Sequence, residues 1–438
     1  MKRNKFSVLA MTIVCALLSA SCSSGKEPNT NGADSGVKSA EQQPVTLTFY
    51  TRTVLDDFDQ YVNRFVKKKF PHVTLKVVEN KQGTRIEELV AAGDIPDIIW
   101  EGLTNIGTLV DLKVPVDLTP LAQKNGFKFD KYDPKMVDTI KSYAPKGEIY
   151  YLPYNVLAFA THYNKDIFDK FGIPYPKDHM TWSEAVEVGK KLNRSDSGLT
   201  YVGLRPPLDI NRMQSQLSLA YVDPATEKAI VHTEKWKKLF ETFKSTYSTP
   251  GQPVVKSFFE ARDEFLNKRT VAMLPDILLL QNSEMQKLES EGFKWDFVTY
   301  PSFEDKPGIG PGVFSDGFVI PNGSKNQDLA FQIAAYLSTD PEVQLEAGKN
   351  GRLTATNDKK LLEQAFANNP AAKGKNVKSV VTQKYPEPYA TSSYHAAART
   401  IVNGRLLDYV NGKSDVNTLL QQAEEQVNKK VGEMKAAK

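Results

Sequence analysis

The stretch from Gly147 to Pro176, GEIYYLPYNVLAFATHYNKDIFDKFGIPYP, limits the possible architectures more than any other part of the chain. Two extended runs, Glu148–Leu152 and Val156–Tyr163, stand in series with Pro153-Tyr154-Asn155 between them, and a short amphipathic helix closed by Gly172 follows at once. Proline removes a ladder donor, so a strand interrupted in this way and followed by a new helical unit serves to leave one sheet and begin another. The stretch is therefore expected to be a crossover between two lobes. At 438 residues, 40% hydrophobic and 25% charged, the chain is too long for one ordinary core and has the composition of a soluble globular protein, which agrees with two lobes or more.

On either side of the crossover the pattern is that of an α/β protein. Val45, Leu47 and Phe49 alternate in a strand; Leu55, Phe58, Val62, Phe65 and Val66 share a helix face; a strand Val73–Val78 completes a βαβ opening. A helix Arg85–Ala92 leads to a third strand, Asp97–Trp100. Beyond the crossover, Thr181-Trp182-Ser183-Glu184 is a capping box. Strands are expected at Tyr201–Leu204, Trp295–Thr299 and Gly312–Pro321, with helices at Asn211–Leu219, Lys235–Tyr247 and Asp328–Leu337 and a helix start at Asp340-Pro341. The last helix, Ser414–Met434, carries Val416, Leu419, Leu420, Ala423, Val427 and Val431 along one face.

The N-terminus differs from the body. Residues 1–21 hold Lys2, Arg3 and Lys5, then an apolar run from Phe6 to Leu18, then Ser19-Ala20-Ser21, which is the pattern of an export signal too short for a membrane span. Small residues followed by Cys22 resemble the lipobox of bacterial lipoproteins, in which that cysteine is acylated; the usual Leu three positions before it is here Ser19. The alternative is simple cleavage after Ala, with Cys22 a chance residue. Cys15 lies inside the signal, so an exported body keeps Cys22 alone and forms no internal disulfide. Residues 22–44 are small, polar and aperiodic, as in a flexible linker. Losing the signal takes three positive charges from a formal +4, so nothing suggests a nucleic-acid-binding face.

Several of these segments, in order, carry a resemblance. GEIYYLP leading through YNKDIF to TWSE, the strand GDIPDIIW at Gly93–Trp100, VDLTPL at Val116–Leu121 and FFEARDEFLNKRTVAML at Phe258–Leu274 resemble the solute-binding lipoproteins of bacterial ABC sugar importers. That family commonly continues the last element with Gly and a sugar-stacking Trp, whereas this chain has Pro275-Asp276-Ile277. The resemblance implies a two-lobed, periplasmic-binding-protein-like α/β fold of type II, with hinge crossovers and a ligand cleft between the lobes. It implies one lobe of residues 45–155 and 300–348 and another of 156–299 and 349–438. It also implies import as the role and ABC permease subunits as partners of a monomer held to the outer face of the cell membrane by lipid at Cys22. SSYHAAARTIVNGR at Ser392–Arg405 resembles the family's ligand-touching C-terminal helix, which points to Tyr394 or His395.

Chemistry-bearing motifs are few. The five His have no spacing that gathers metal ligands, Gly308, Gly310 and Gly312 lie in a Pro-rich loop that opens no helix, and neither a GxSxG elbow nor a Walker loop occurs. Neither a cofactor nor catalytic residues are expected. In open parallel sheets ligands collect beyond the carboxyl ends of strands, which selects Tyr50, Arg52, Trp100, Glu101, Tyr154, Asn155, Arg205, Asp276, Phe314 and Asp316. Sugars need that mixture: C–H faces pack on rings, and hydroxyls take hydrogen bonds from carboxylate, amide or guanidinium groups. The expected ligand is a carbohydrate, an oligosaccharide by choice, with core packing the rival explanation for each aromatic. Two other functions stay open, an exported polysaccharide-cleaving enzyme using two of these carboxylates and a binding protein for a solute other than sugar.

Overall fold

The computed structural model describes residues 43–436 except 53–57, 145, 208, 248–254, 258–259, 282 and 382–383. The expected export signal at 1–21, Cys22 and the expected linker as far as residue 42 lie outside the described residues. In chain order the strands are β1 (Val45–Thr51), β2 (Val73–Glu79), β3 (Ile98–Gly102), β4 (Leu152–Val156), β5 (Phe159–Asn164), β6 (Arg194–Asp196), β7 (Leu199–Leu204), β8 (Val271–Ile277), β9 (Trp295–Thr299), β10 (Ser315–Val319) and β11 (Leu353–Thr354). They form two sheets, ordered β11-β4-β10-β3-β1-β2 and β6-β7-β8-β5-β9. This is the α/β, two-lobed architecture that the crossover implies.

The break in the crossover falls later than the sequence suggests. Pro153, Tyr154 and Asn155 lie inside β4, and the chain leaves the first sheet at Leu157-Ala158. Pro153 faces Gly317 of β10, where the register shifts between Asp316 and Gly317, and a proline is tolerated at such a bulge. Gly317 is required there: a Cβ would stand 2.2 Å from the Leu152 carbonyl oxygen. The chain returns to the first sheet between β9 and β10, and after β11 it passes to the second lobe again, where Phe366, Ala371 and Ala372 pack with Phe297 and Trp295.

Each lobe has its own core. Around the first sheet, Phe49, Ile98 and Phe318 pack with Phe331, Ala334 and Leu337 of the helix Gln327–Thr339. In the second, Trp236, Leu239 and Phe240 of the helix Glu234–Ser245 pack with Leu420, Ala423 and Val427 of the C-terminal helix Val416–Ala436, whose apolar stripe is buried as expected. The Thr181 capping box is formed: its hydroxyl accepts from the Glu184 amide at 3.2 Å, and the Glu184 carboxylate accepts from the Thr181 amide at 2.7 Å. It starts the helix Trp182–Leu192 and sets Trp182 in the core, where its indole donates to Gln216 Oε1 at 3.2 Å.

Candidate binding cleft

Strand direction decides which residues meet at one edge of the first sheet. β1 and β3 run parallel, β10 is antiparallel to β3, and β4 is antiparallel to β10, so the carboxyl ends of β1, β3 and β4 share one edge with the start of β10. That edge brings together Arg52, Trp100, Glu101, Phe314 and Asp316 around a cavity of about 190 Å³, completed by Gly102, Thr104, Asn105, Leu157 and Ser315. Asn155 stands beside it, opposite Asp316 in the β4–β10 register. A larger concavity of about 1030 Å³ lies elsewhere; residues of the single segment Lys359–Val381 line it, and none comes from the first sheet, so it is no interlobe site.

Glu101 is only 2% exposed, and its carboxylate is held from three directions. Oε2 accepts from Arg52 Nε at 2.7 Å; Oε1 accepts from Asn105 Nδ2 and from the Gly102 amide, each at 2.9 Å. The Arg52 side chain remains 37% exposed, so the pair anchors a guanidinium at the cleft without burying it. Behind the pair, the Tyr151 hydroxyl lies 3.0 Å from the carbonyls of both Glu101 and Ser315, tying the ends of β3 and β10. Burial holds the Asp316 carboxyl above the usual carboxylate value, against the pull of Arg352 and a hydrogen bond from Asn155. The Oδ1 of Asn155 is itself buried without a donor among the described residues. The Trp100 ring makes edge contacts with Tyr154 and Phe318, at 5.2 and 5.1 Å between centroids, and lines the cavity.

The second lobe meets this edge through aromatics. Phe159 packs edge-on to Phe314 at 5.0 Å, and the Arg212 guanidinium lies 5.4 Å from the Phe159 ring centre. Asp276, fully buried, receives Arg212 Nη1 at 2.9 Å on one oxygen and Arg262 Nη2 and Nε at 2.6 and 2.8 Å on the other. It pairs with both arginines and is not among the residues that line the 190 Å³ cavity. Arg205 is enclosed with Glu264 at 2.7 Å and Glu260 at 3.7 Å beneath the Tyr247 ring. Tyr394 donates to Glu227 at 3.1 Å, and His395 is wedged between the Tyr221 and Tyr389 rings, where burial lowers its pKa to about 4. Tyr50 and Tyr154 are buried against the first core, with the Tyr154 hydroxyl donating to the Tyr61 carbonyl at 3.4 Å.

Sequence reasoning passed over Asn105, Thr104 and Arg212. Asn105 ends the short turn Leu103–Asn105 that follows β3 and donates back to Glu101, a contact set by the turn and not by a regular spacing. Arg212 had no local signal either, because its partner lies 64 residues on.

The family profile described as bacterial extracellular solute-binding protein matches residues 60–374, most of the chain. The chain belongs to this family of extracellular solute-binding proteins. Among its relatives, the mannitol-binding protein of Pseudomonas aeruginosa is 24% identical over 214 residues, 47% of this chain and 49% of that protein. The arabinooligosaccharide-binding protein of Halalkalibacterium halodurans is 25% identical over 202 residues, 44% of each chain. This solute-binding protein thus spans about half the length of the curated relatives it matches. Among solved structures, an ABC substrate-binding protein from Listeria monocytogenes in complex with cycloalternan superposes with a TM-score of 0.73 at 20% identity, over 89% of this chain and 100% of that one. That likeness establishes the two-lobed fold of the solute-binding protein.

Proposed function

We propose that the protein is a carbohydrate-binding component of an ABC importer: it captures the sugar between its lobes and delivers it to the permease without transforming it. One observation carries this. The shared edge of β1, β3, β4 and β10 places the Trp100 ring beside Arg52, Glu101 and Asp316, so one cavity offers an apolar face, a guanidinium donor and a carboxylate acceptor. Sugar rings and their hydroxyls call for that combination. Arg52, Trp100, Glu101, Phe314 and Asp316 contact the ligand directly, with Asn155 acting on Asp316. Relatives that bear the names mannitol-binding and arabinooligosaccharide-binding support a polyhydroxylated ligand.

Lipid on Cys22 would hold the protein at the outer face of the membrane, as a monomer, with residues 22–44 as the tether. A single acyl chain binds membranes only marginally, so stable anchoring calls for more than one.

Incubation with labelled carbohydrates of one to four units tests the role. Stoichiometric retention with the carbohydrate recovered intact is expected; turnover would show an enzyme instead. Retention of non-sugar solutes alone would favour the departure at Pro275-Asp276 as a sign of another ligand class.

A further inference from the structure

The cavity at the edge of the first sheet adjoins a second one that is nearly filled. Thr104 and Phe314 line both the 190 Å³ cavity and a second one of only about 20 Å³. The far side of the small cavity is formed by Pro386, Glu387, Pro388, Tyr389 and Thr391. This run is fastened to both lobes. Towards the first, the Glu387 carboxylate pairs with Lys135 and the Thr391 hydroxyl donates to the Ser142 carbonyl. Towards the second, the Glu387 carbonyl accepts from the Ser218 hydroxyl at 2.7 Å, and Tyr389 stacks on His395 at 5.8 Å. Two prolines in five residues limit the conformations such a strap can take.

We infer that the segment Tyr385–Thr391 is the element that sets ligand length: it blocks the cleft beyond Thr104 and Phe314, so that the protein reads a short carbohydrate of one or two units and leaves further units outside. The inference rests on the carbohydrate function proposed above. Volume supports it. The open cavity of about 190 Å³ falls below the roughly 300–1,000 Å³ of pockets that enclose drug-sized ligands. Extension towards the second cavity would require displacing the strap and both its first-lobe contacts.

Titration calorimetry of the intact protein against glucose, mannose and arabinose oligomers of one to four units tests this, alongside Glu387→Ala/Thr391→Ala. In the wild type, affinity should stop rising after the second unit. In the double variant, three- and four-unit ligands should gain about tenfold, with the one-unit affinity unchanged; Lys135→Ala, which removes the same ion pair from the other side, should move the series in the same direction. An affinity that climbs with every unit in the wild type, or an unchanged series in both variants, overturns the length limit. Absence of binding across every carbohydrate overturns the proposed function itself, and the length limit with it.

Discussion

The amide of Leu157 donates to the carbonyl of Phe314 at 2.8 Å, joining two of the three chain segments that cross between the lobes. Immediately before it, Val156 is paired with Ser315 in the first sheet. The residues from Pro301 to Gly312 contact the other lobe: Gln216 donates to the carbonyls of Pro301 and Ile309 at 2.7 and 2.9 Å, and the Gly312 amide donates to Ser215 at 2.9 Å. Any rotation of one lobe against the other would therefore bend the chain at Leu157-Ala158, at Gly312–Phe314 and at the passage after β11. Hinge closure around ligand is a recognised motion of such proteins. Small-angle scattering should give a smaller radius of gyration at ligand saturation; an unchanged profile would mean a rigid site.

Asp276 is the buried counter-charge of two arginines, and its loss should be costly. Asp276→Ala leaves Arg212 and Arg262 facing each other with no carboxylate, and breaking a buried pair costs about 3–5 kcal/mol. Denaturant unfolding should show a loss near the lower figure, because Arg262 is partly solvated. A change below about 1 kcal/mol would show that water replaces the carboxylate.

Two buried histidines make stability fall in acid. His162 and His395 each have a pKa lowered to about 4 by burial. For His162 the hydrogen bonds agree with a neutral ring: Nδ1 lies 3.1 Å from the Leu274 carbonyl, and Nε2 accepts from the Leu279 amide at 3.1 Å. A depressed folded-state pKa contributes stability that is complete above the unfolded value of about 6.5 and is lost as pH falls towards about 4. His395→Phe, which keeps a ring between Tyr221 and Tyr389, should lessen the slope of stability in that window by up to about 1.4 kcal/mol per pH unit. Equal slopes in variant and wild type would place the His395 pKa near its ordinary value.

Acylation is tested at one residue. Cys22→Ser should move the protein from the membrane fraction to the medium; retention of the variant through an uncleaved signal, with the same in the wild type, would contradict the lipoprotein assignment.

Much of the fold was legible because local chemistry and tertiary structure agree. The Thr181 capping box, the Asp340-Pro341 helix start and the Val416–Val431 stripe each appear where the residues place them. The strand at Pro153 was displaced because its tolerance depends on a bulge in β10, some 160 residues away. The cleft was legible in part for a related reason. Position after a strand selected Arg52, Trp100, Glu101, Phe314 and Asp316, which line one cavity because strand ends share an edge. It also selected Arg205 and Asp276, which are held in internal ion pairs and do not line that cavity. Tyr394 and His395 came by resemblance, and both pack into the helical core. Pairings of that range leave no local pattern.

The central claim is that carbohydrate binds against Trp100. The ring is only 4% exposed and packs on Tyr154 and Phe318, so Trp100→Ala should lower stability by about 3 kcal/mol or more. Binding should also suffer, by about 2 kcal/mol for loss of an aromatic anchor, which is roughly thirty-fold in Kd. Calorimetric titration of the folded variant, with its melting temperature measured in the same buffer, separates the two effects. The account predicts that both fall; a destabilised variant that binds carbohydrate with wild-type Kd would contradict it and leave Trp100 a core residue.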